Sequence, residues 1–564
     1  MCIRLKKEIY LFLLQYKLKL ILSIICVILE VLMELLLPII LANIINNGIS
    51  SKDINYILIN ILIMFIILIM GIIGSIIGTY ISSYISVDFS KKIREKLVEK
   101  ILNLKYKEID SLDIGNSITL ITNDISNIEN VIFLTLKIFV KIPIIMIGSI
   151  AMCLYLSLKL STILLIIIPI IIIITYILSK KSYPYFSSTY EKMDSFNSKI
   201  RENINMIKLV KSNNKEKYEI KKIDEKNKEL KDINIKALNT ISLMIPIIIF
   251  IINITTILIL LISKIEIKNG FEIGNIAAFI EYISLLLSSI ISVSMIFLLI
   301  IESSVSIKRI KNIIEKTTEI DKGKKIKEIK TIEFKNTCFS YNKKYNLENI
   351  NLKIKEKEKI AIIGESGSGK TTLINLLTRN YEVEDNSILI NNIDINKYSI
   401  KNLRKKIKII NQKNTLFKDT IENNIKFNKN IEIEKYLKLT LSKKIIEKKE
   451  NNIKFQIEQN GKNLSGGERQ RIILCRSLID EFEVLILDDV LSAVDLKTEE
   501  QIIKNILKNY KDKTIIFITS RIHAIKDFDK IILINNGKIE SIGTHKELLN
   551  NQNYKSLYDI GEVI

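Results

Sequence analysis

The sequence has little from which a metal or disulfide scaffold could be built. Its 564 residues include 5 cysteines (Cys2, Cys26, Cys153, Cys338, Cys475) with neither paired nor metal-like spacing, and 2 histidines, His523 and His545. That pattern excludes a disulfide framework and a zinc module. Proline is scarce and confined: all 5 residues, Pro38, Pro143, Pro169, Pro184 and Pro246, fall in the first half. The opening MCIRLKKEIY lacks a short apolar core followed by a small-residue cleavage site, so no removable signal peptide is expected.

What the chain does have is sharply segregated. Hydrophobic residues make up 48% and charged residues 26%, with a mean hydropathy of +0.24. Apolar runs occupy the first half. The 83 basic and 61 acidic residues leave 83 − 61 = +22, a surplus that suits nucleic acid or an anionic membrane. The basic residues of the first half crowd the ends of apolar segments, so the lipid bilayer is the expected partner and nucleic acid is not. Many of the remaining cations are lysines in a chain biased to Ile, Lys and Asn.

Six stretches, near 21–45, 57–85, 142–158, 160–178, 241–262 and 276–300, are long and apolar enough to cross a hydrocarbon core that needs about 20 helical residues. Arg4, Lys6, Lys7, Lys17 and Lys19 precede the first, which puts the N-terminus on the cytosolic side. The long charged stretches 86–141 and 179–240 then fall inside, as helices extending beyond the membrane. Glu30 and Glu34 are four apart, on one face of the first span, where a carboxylate is costly. They either hold a cationic group of an exported substrate or hydrogen-bond between helices, the more ordinary role. Gly71, Gly74, Ser75 and Gly78 form a small-residue stripe expected to pack closely against a neighbouring helix.

The apolar runs end by about Asp321. We place a membrane domain at 1–320, a Lys-rich linker at 321–330, and at 331–564 a domain of short strands alternating with helices. Within it, GESGSGKTT (Gly364 to Thr372) lies between an apolar strand and a helical pattern. This is the phosphate-binding loop pattern: its glycines let backbone N–H groups close around phosphate oxygens, and the following helix aims its N-terminus at the same anion. Gly364, Ser366, Gly367, Ser368, Gly369, Lys370, Thr371 and Thr372 would cradle the nucleotide, Lys370 meeting the β- and γ-phosphates and Thr371 holding Mg²⁺. About a hundred residues on stands LSGGERQ, Leu464 to Gln470.

With those two motifs in one domain, behind six spans, the whole chain resembles the exporter half-transporters of the ATP-binding-cassette (ABC) family. The resemblance implies a polytopic α-helical membrane domain followed by an α/β P-loop ATPase domain with an LSGG helical subdomain. It also implies ATP and Mg²⁺ as cofactors, and export of a hydrophobic, lipid or peptide substrate across a bacterial cytoplasmic membrane. By the same resemblance Tyr341 stacks on adenine, Gln412 touches Mg²⁺ and reports on nucleotide, and Asp488 orders Mg²⁺. Ser465, Gly466, Gly467 and Glu468 face the nucleotide of a second ATPase domain, and the loop Ser492 to Asp495 links the two sites.

Two positions depart from the family pattern. The residue after Asp488, glutamate in hydrolytically active members, is Asp489, and the strand 513–521 carries Ser520 where the family has a switch histidine. Aspartate withdraws the carboxylate by about 1 Å, a displacement that costs on the order of 10²-fold in rate. A hydroxyl does not reach as far as an imidazole. His523, past the strand end, reads as a surface histidine. The combination resembles one half of a heterodimeric exporter, binding ATP in its own weak site and lending Ser465 to Glu468 to a strong site on its partner. Stretches near 109–115 and 203–213 resemble the family's two coupling regions. Alternatives are a homodimeric exporter with slow ATPase and an ATP-gated channel or sensor. A soluble DNA-repair ATPase is argued against by the six spans.

Overall fold

The computed structural model describes residues 15–563 apart from 269, 342–344, 413 and 520. By contact the chain separates into two compact units, one of 1–102 and 112–316 and one of 103–111 and 317–564.

Among the described residues, the first unit has six helices long and apolar enough to cross a membrane: α1 (Lys17–Ile49), α2 (Ile54–Leu102), α3 (Gly115–Leu156), α4 (Leu158–Asn205), α5 (Glu216–Lys268) and α6 (Ile273–Glu315). They outrun the apolar stretches because the charged sequence between spans keeps helical periodicity, so α2 continues for 49 residues. The boundary between the third and fourth spans falls at Ser157, slightly before the expected place. Ser157 is extended (φ −159°, ψ 115°), and its hydroxyl accepts from the Leu160 N–H to start α4. In α5 the helix breaks at Leu243, where Pro246 removes the donor that would reach the Ser242 carbonyl. Two π-helical turns, Leu120–Asp124 and Thr135–Phe139, interrupt α3.

The small-residue stripe of α2 does face a neighbour: a Cβ on Gly74 would lie 2.9 Å from Leu29 Cδ2 and 3.2 Å from the Cys26 carbonyl oxygen of α1. Inside the bundle, Val27, Val31 and Leu35 pack with Ile145, Ile171, Phe279 and Tyr282. The buried Tyr282 hydroxyl donates to the Leu35 carbonyl at 2.6 Å. Outward residues such as Phe65, Ile76, Leu165 and Phe250 are exposed and apolar, a surface suited to lipid.

The second unit holds a four-stranded antiparallel sheet, β2-β1-β4-β5, of β1 (Thr331–Phe339), β2 (Leu347–Lys355), β4 (Ile388–Ile390) and β5 (Ile393–Asp394). Its central sheet has the order β10-β9-β3-β8-β7-β6, from β3 (Lys359–Ile363), β6 (Ile407–Ile410), β7 (Val484–Asp488), β8 (Thr514–Ile518), β9 (Lys530–Asn535) and β10 (Lys538–Gly543). β6, β7, β8, β3 and β9 run parallel, and β10 is antiparallel to β9. These strands are nearly continuous apolar runs because both faces are covered. Ile363, Leu487 and Phe517 enter one core, while Ile362, Ile486 and Ile518 enter the other. Three helices matter for the site: α7 (Lys370–Leu377) after β3, α8 (Gly466–Leu478), and α9 (Leu496–Asn509) after β7.

Candidate nucleotide site

In an open parallel sheet, ligands settle beyond the carboxyl ends of the strands. Here β3 leads into the glycine loop, β7 ends at Asp488, and β6 runs out toward Gln412. Topology thus delivers residues more than a hundred positions apart to one edge.

The loop geometry explains its glycines. Gly364 has φ +151°, and a Cβ there would sit 2.1 Å from the Ile534 carbonyl oxygen, so no other residue fits. Ser366 and Gly367 form the exposed tip and Ser368 turns inward. Gly369 has left-handed dihedrals and starts α7, whose first residues are Lys370, Thr371 and Thr372. The Lys370 ammonium donates to the carbonyls of Gly364 (2.8 Å) and Glu365 (2.7 Å). Burial pulls its pKa down, with Asp488 and Asp489 pulling the other way.

Thr371 Oγ1 donates to Asp488 Oδ2 at 2.9 Å. Burial raises the Asp488 carboxyl above its ordinary range, opposed by that hydrogen bond. Asp489 stands in the left-handed region at φ +48°, a conformation aspartate tolerates better than most residues, and its Oδ2 accepts from Gln412 Nε2 at 2.7 Å. A hydroxyl, two carboxylates and an amide oxygen are the hard donors that Mg²⁺ prefers. Tyr341 is half-exposed and meets Phe339 and Tyr381 edge-to-face, with ring centres 5.0 Å and 4.9 Å apart. Ser520 lies outside the described residues.

At α8, Ser465 and Glu468 form a reciprocal cap: the Glu468 N–H donates to Ser465 Oγ (3.2 Å) and the Ser465 N–H to Glu468 Oε2 (2.9 Å). Lys449 steadies the Glu468 carboxylate at 3.1 Å. A Cβ on Gly467 would approach the Ala493 carbonyl to 2.9 Å, so glycine lets the helix start lie against the loop Ser492 to Asp495. Asp495 caps α9, accepting from the Thr498 N–H at 3.0 Å.

A family model described as the ABC transporter transmembrane region matches residues 20–290, and one described as ABC transporter matches 347–492. Over 461 residues the chain is 36% identical to a multidrug resistance-like ATP-binding protein of Buchnera aphidicola, covering 79% of this chain and 78% of that protein. The chain is an ABC exporter half-transporter. Similar too, at 32% over 469 residues and 81% of each chain, is an ATP-dependent lipid A-core flippase of Wigglesworthia glossinidia. The solved structure of a bacterial Atm1-family ABC exporter with ATP bound shares the fold, with a TM-score of 0.85 at 19% identity over 96% of this chain and 98% of that one. The half-transporter is therefore a multi-pass membrane protein with an ATP-binding domain of an ATPase and translocase family.

Several of its site residues escape sequence reasoning. Gln470 bridges the α8 start to the neighbouring loop, donating to Ser492 Oγ (3.1 Å) and accepting from the Ala493 N–H (2.9 Å). Arg521 clamps the same loop from beyond β8, donating to the carbonyls of Ser492 (2.8 Å) and Val494 (3.0 Å) and pairing with buried Glu499 at 2.6 Å. Gln470 ends the LSGGERQ motif, so a signal for it was present; Arg521 had none. His523 is half-buried rather than superficial, with its ring 5.3 Å from that of Tyr558. A short 3-10 turn, Ile522–Ile525, carries it back toward the helix Gln552–Val563 that holds Tyr558.

In the membrane unit, Glu30 and Glu34 meet a single cation. Lys141 Nζ lies 2.7 Å from Glu30 Oε1 and 2.6 Å from Glu34 Oε1. The segment 203–213 contains the short helix Ile207–Ser212, with Met206, Ile207 and Leu209 exposed.

Proposed function

We propose that this half-transporter is the weak-site subunit of a heterodimeric exporter in a bacterial cytoplasmic membrane, its N-terminus and ATPase domain on the cytosolic side. The observation that carries this reading is Asp489. Its carboxylate, one methylene shorter than the glutamate the family resemblance implies there, accepts from Gln412 Nε2 at 2.7 Å, an engagement that supports slow hydrolysis. The loop Gly364 to Thr372 binds the phosphates and Tyr341 stacks on the base. Thr371, Gln412 and Asp488 would hold Mg²⁺, which when bound would supply positive charge to the phosphates.

The Ser465–Glu468 cap keeps the α8 N-terminus intact, which supports its use on nucleotide held by another subunit. The stretches 109–115 and 203–213 act as coupling regions, the second offering its exposed apolar residues to the partner's ATPase domain. The names of the relatives in Buchnera and Wigglesworthia favour a hydrophobic or amphipathic substrate.

The test is ATPase measurement on the purified chain alone and with a second half-transporter carrying glutamate and histidine at the positions of Asp489 and Ser520. Slow turnover alone, fast turnover together, and a gain on the order of 10²-fold in the lone chain from Asp489→Glu with Ser520→His are expected. Rapid hydrolysis by the lone chain, indifferent to both substitutions, would establish a homodimer and end this reading. Directional flux into vesicles, against passive ion current, separates an exporter from a channel.

A further inference from the structure

The second unit includes a piece of chain from between two membrane helices. Asn103–Ser111 belongs to it by contact, and its short helix Tyr106–Asp110 is tied down at several points. Leu104 pairs with Thr318 as an isolated antiparallel bridge. Lys105 Nζ lies 2.6 Å from Glu382 Oε1, and the Arg404 guanidinium sits over the Tyr106 ring at 5.3 Å. Glu108 accepts from the Thr317 hydroxyl at 3.0 Å.

One further contact differs in where it leads. The Tyr381 hydroxyl donates to Asp110 Oδ2, while the Tyr381 ring stands edge-to-face to Tyr341, ring centres 4.9 Å apart at 83°. Phe339 closes this aromatic group, 5.0 Å from Tyr341 and 5.7 Å from Tyr381. Tyr381 therefore touches the base-stacking aromatic with its ring and the membrane-connected segment with its hydroxyl. A cavity of about 650 Å³ lined by Lys105, Tyr341, Tyr381 and Glu382 adjoins this group, so the rings have room to shift. Edge-to-face aromatic pairs depend on ring orientation, so a base fixing Tyr341 also fixes Tyr381. Burial and the Asp110 carboxylate both push the Tyr381 hydroxyl upward in pKa, so it stays a donor at neutral pH.

We propose that Tyr381 is a positioning residue through which the base stacked on Tyr341 secures Asp110, making the segment 103–111 sensitive to the nucleotide's base as well as its phosphates. This rests on the reading of Tyr341 as the adenine platform.

Amide hydrogen exchange across 103–111, in the full chain with its partner half-transporter in lipid nanodiscs, tests it with ATP and with inorganic triphosphate as probes. In the unaltered protein, ATP is expected to protect these amides more than triphosphate does, by on the order of tenfold, the scale of one hydrogen bond to a charged group. Tyr381→Phe keeps the ring and removes the donor; it should lower ATP protection to the triphosphate level while leaving the KM for ATP within about twofold. Asp110→Ala should do the same from the other end. If Tyr341→Ala weakens ATP binding but Tyr381→Phe leaves ATP protection unchanged, the coupling role is wrong and the adenine platform stands. If Tyr341→Ala leaves ATP affinity unchanged, the platform is wrong and the coupling role falls with it.

Discussion

Replacing Lys141 by methionine should destabilise the membrane unit by about 3 kcal/mol, because two carboxylates share its one ammonium. At 2.7 Å and 2.6 Å from the Glu30 and Glu34 oxygens, each attraction is worth about 6 kcal/mol gross at an effective dielectric near 20. Most of that is cancelled by the cost of taking three ions out of water. Lys141→Met removes both attractions and leaves two carboxylates, one turn apart on α1, with the desolvation cost uncompensated. Breaking a buried pair this way costs about 3–5 kcal/mol. The lower end applies because the Glu34 side chain is still 35% exposed. The assay is thermal unfolding of the purified chain in detergent, where a fall of roughly 6–12 °C is expected at about 2–4 °C per kcal/mol. The charge-free triple variant, Glu30→Gln, Glu34→Gln and Lys141→Met, should recover to within about 1 kcal/mol of the starting protein. If the single variant melts with the unaltered chain, or the triple variant is no better than the single one, the three charges do not form a mutually compensated cluster.

Arg521→Ala strips Glu499, whose side chain is 2% exposed, of its counter-charge and frees the loop Ser492 to Asp495; a loss of about 3–5 kcal/mol by thermal unfolding of the full chain is expected. Gly467→Ala forces a Cβ to 2.9 Å from the Ala493 carbonyl, so the ATPase of the assembled dimer should fall by at least tenfold while ATP binding to this chain, read by photolabelling, is retained. Burial would raise the Asp480 carboxyl, but Lys408 and Lys429 outweigh it and hold the pKa below the ordinary 3.8. A carboxyl lowered on folding stabilises fully above its unfolded pKa, so this contribution is lost as pH drops below 3.8 toward the folded value. Asp480→Asn should flatten that part of the acid unfolding curve, measured by circular dichroism.

How much of this was legible in the sequence differs by feature. The glycine loop, LSGGERQ and the six spans announce themselves because each is a local pattern with one physical purpose. Lys141 did not. It reads as the polar end of a cytosolic stretch, and only the continuity of α3 from Gly115 to Leu156 places it beside the α1 carboxylates. Ser157 was missed as the span boundary because a single extended residue, capped by its own hydroxyl, leaves no dip in hydropathy. Arg521 ends the stretch 513–521, where Ser520 carried the signal, and Tyr381 lies beyond the glycine loop, outside any motif. Their partners, Glu499 and Asp110, lie 22 and 271 positions away, a pairing no periodicity encodes.

The unbroken length of α2 has a mechanical consequence. Its 49 residues, at a rise of about 1.5 Å each, make a rod of about 74 Å. A hydrocarbon core accounts for only about 30 Å of that. With a pivot at the bilayer midplane, a tilt of about 10° swings the distal tip by roughly 10 Å while displacing the embedded end by less than about 3 Å. The helix is a lever of unequal arms, so a small change of tilt within the bilayer becomes a much larger displacement at its own far end.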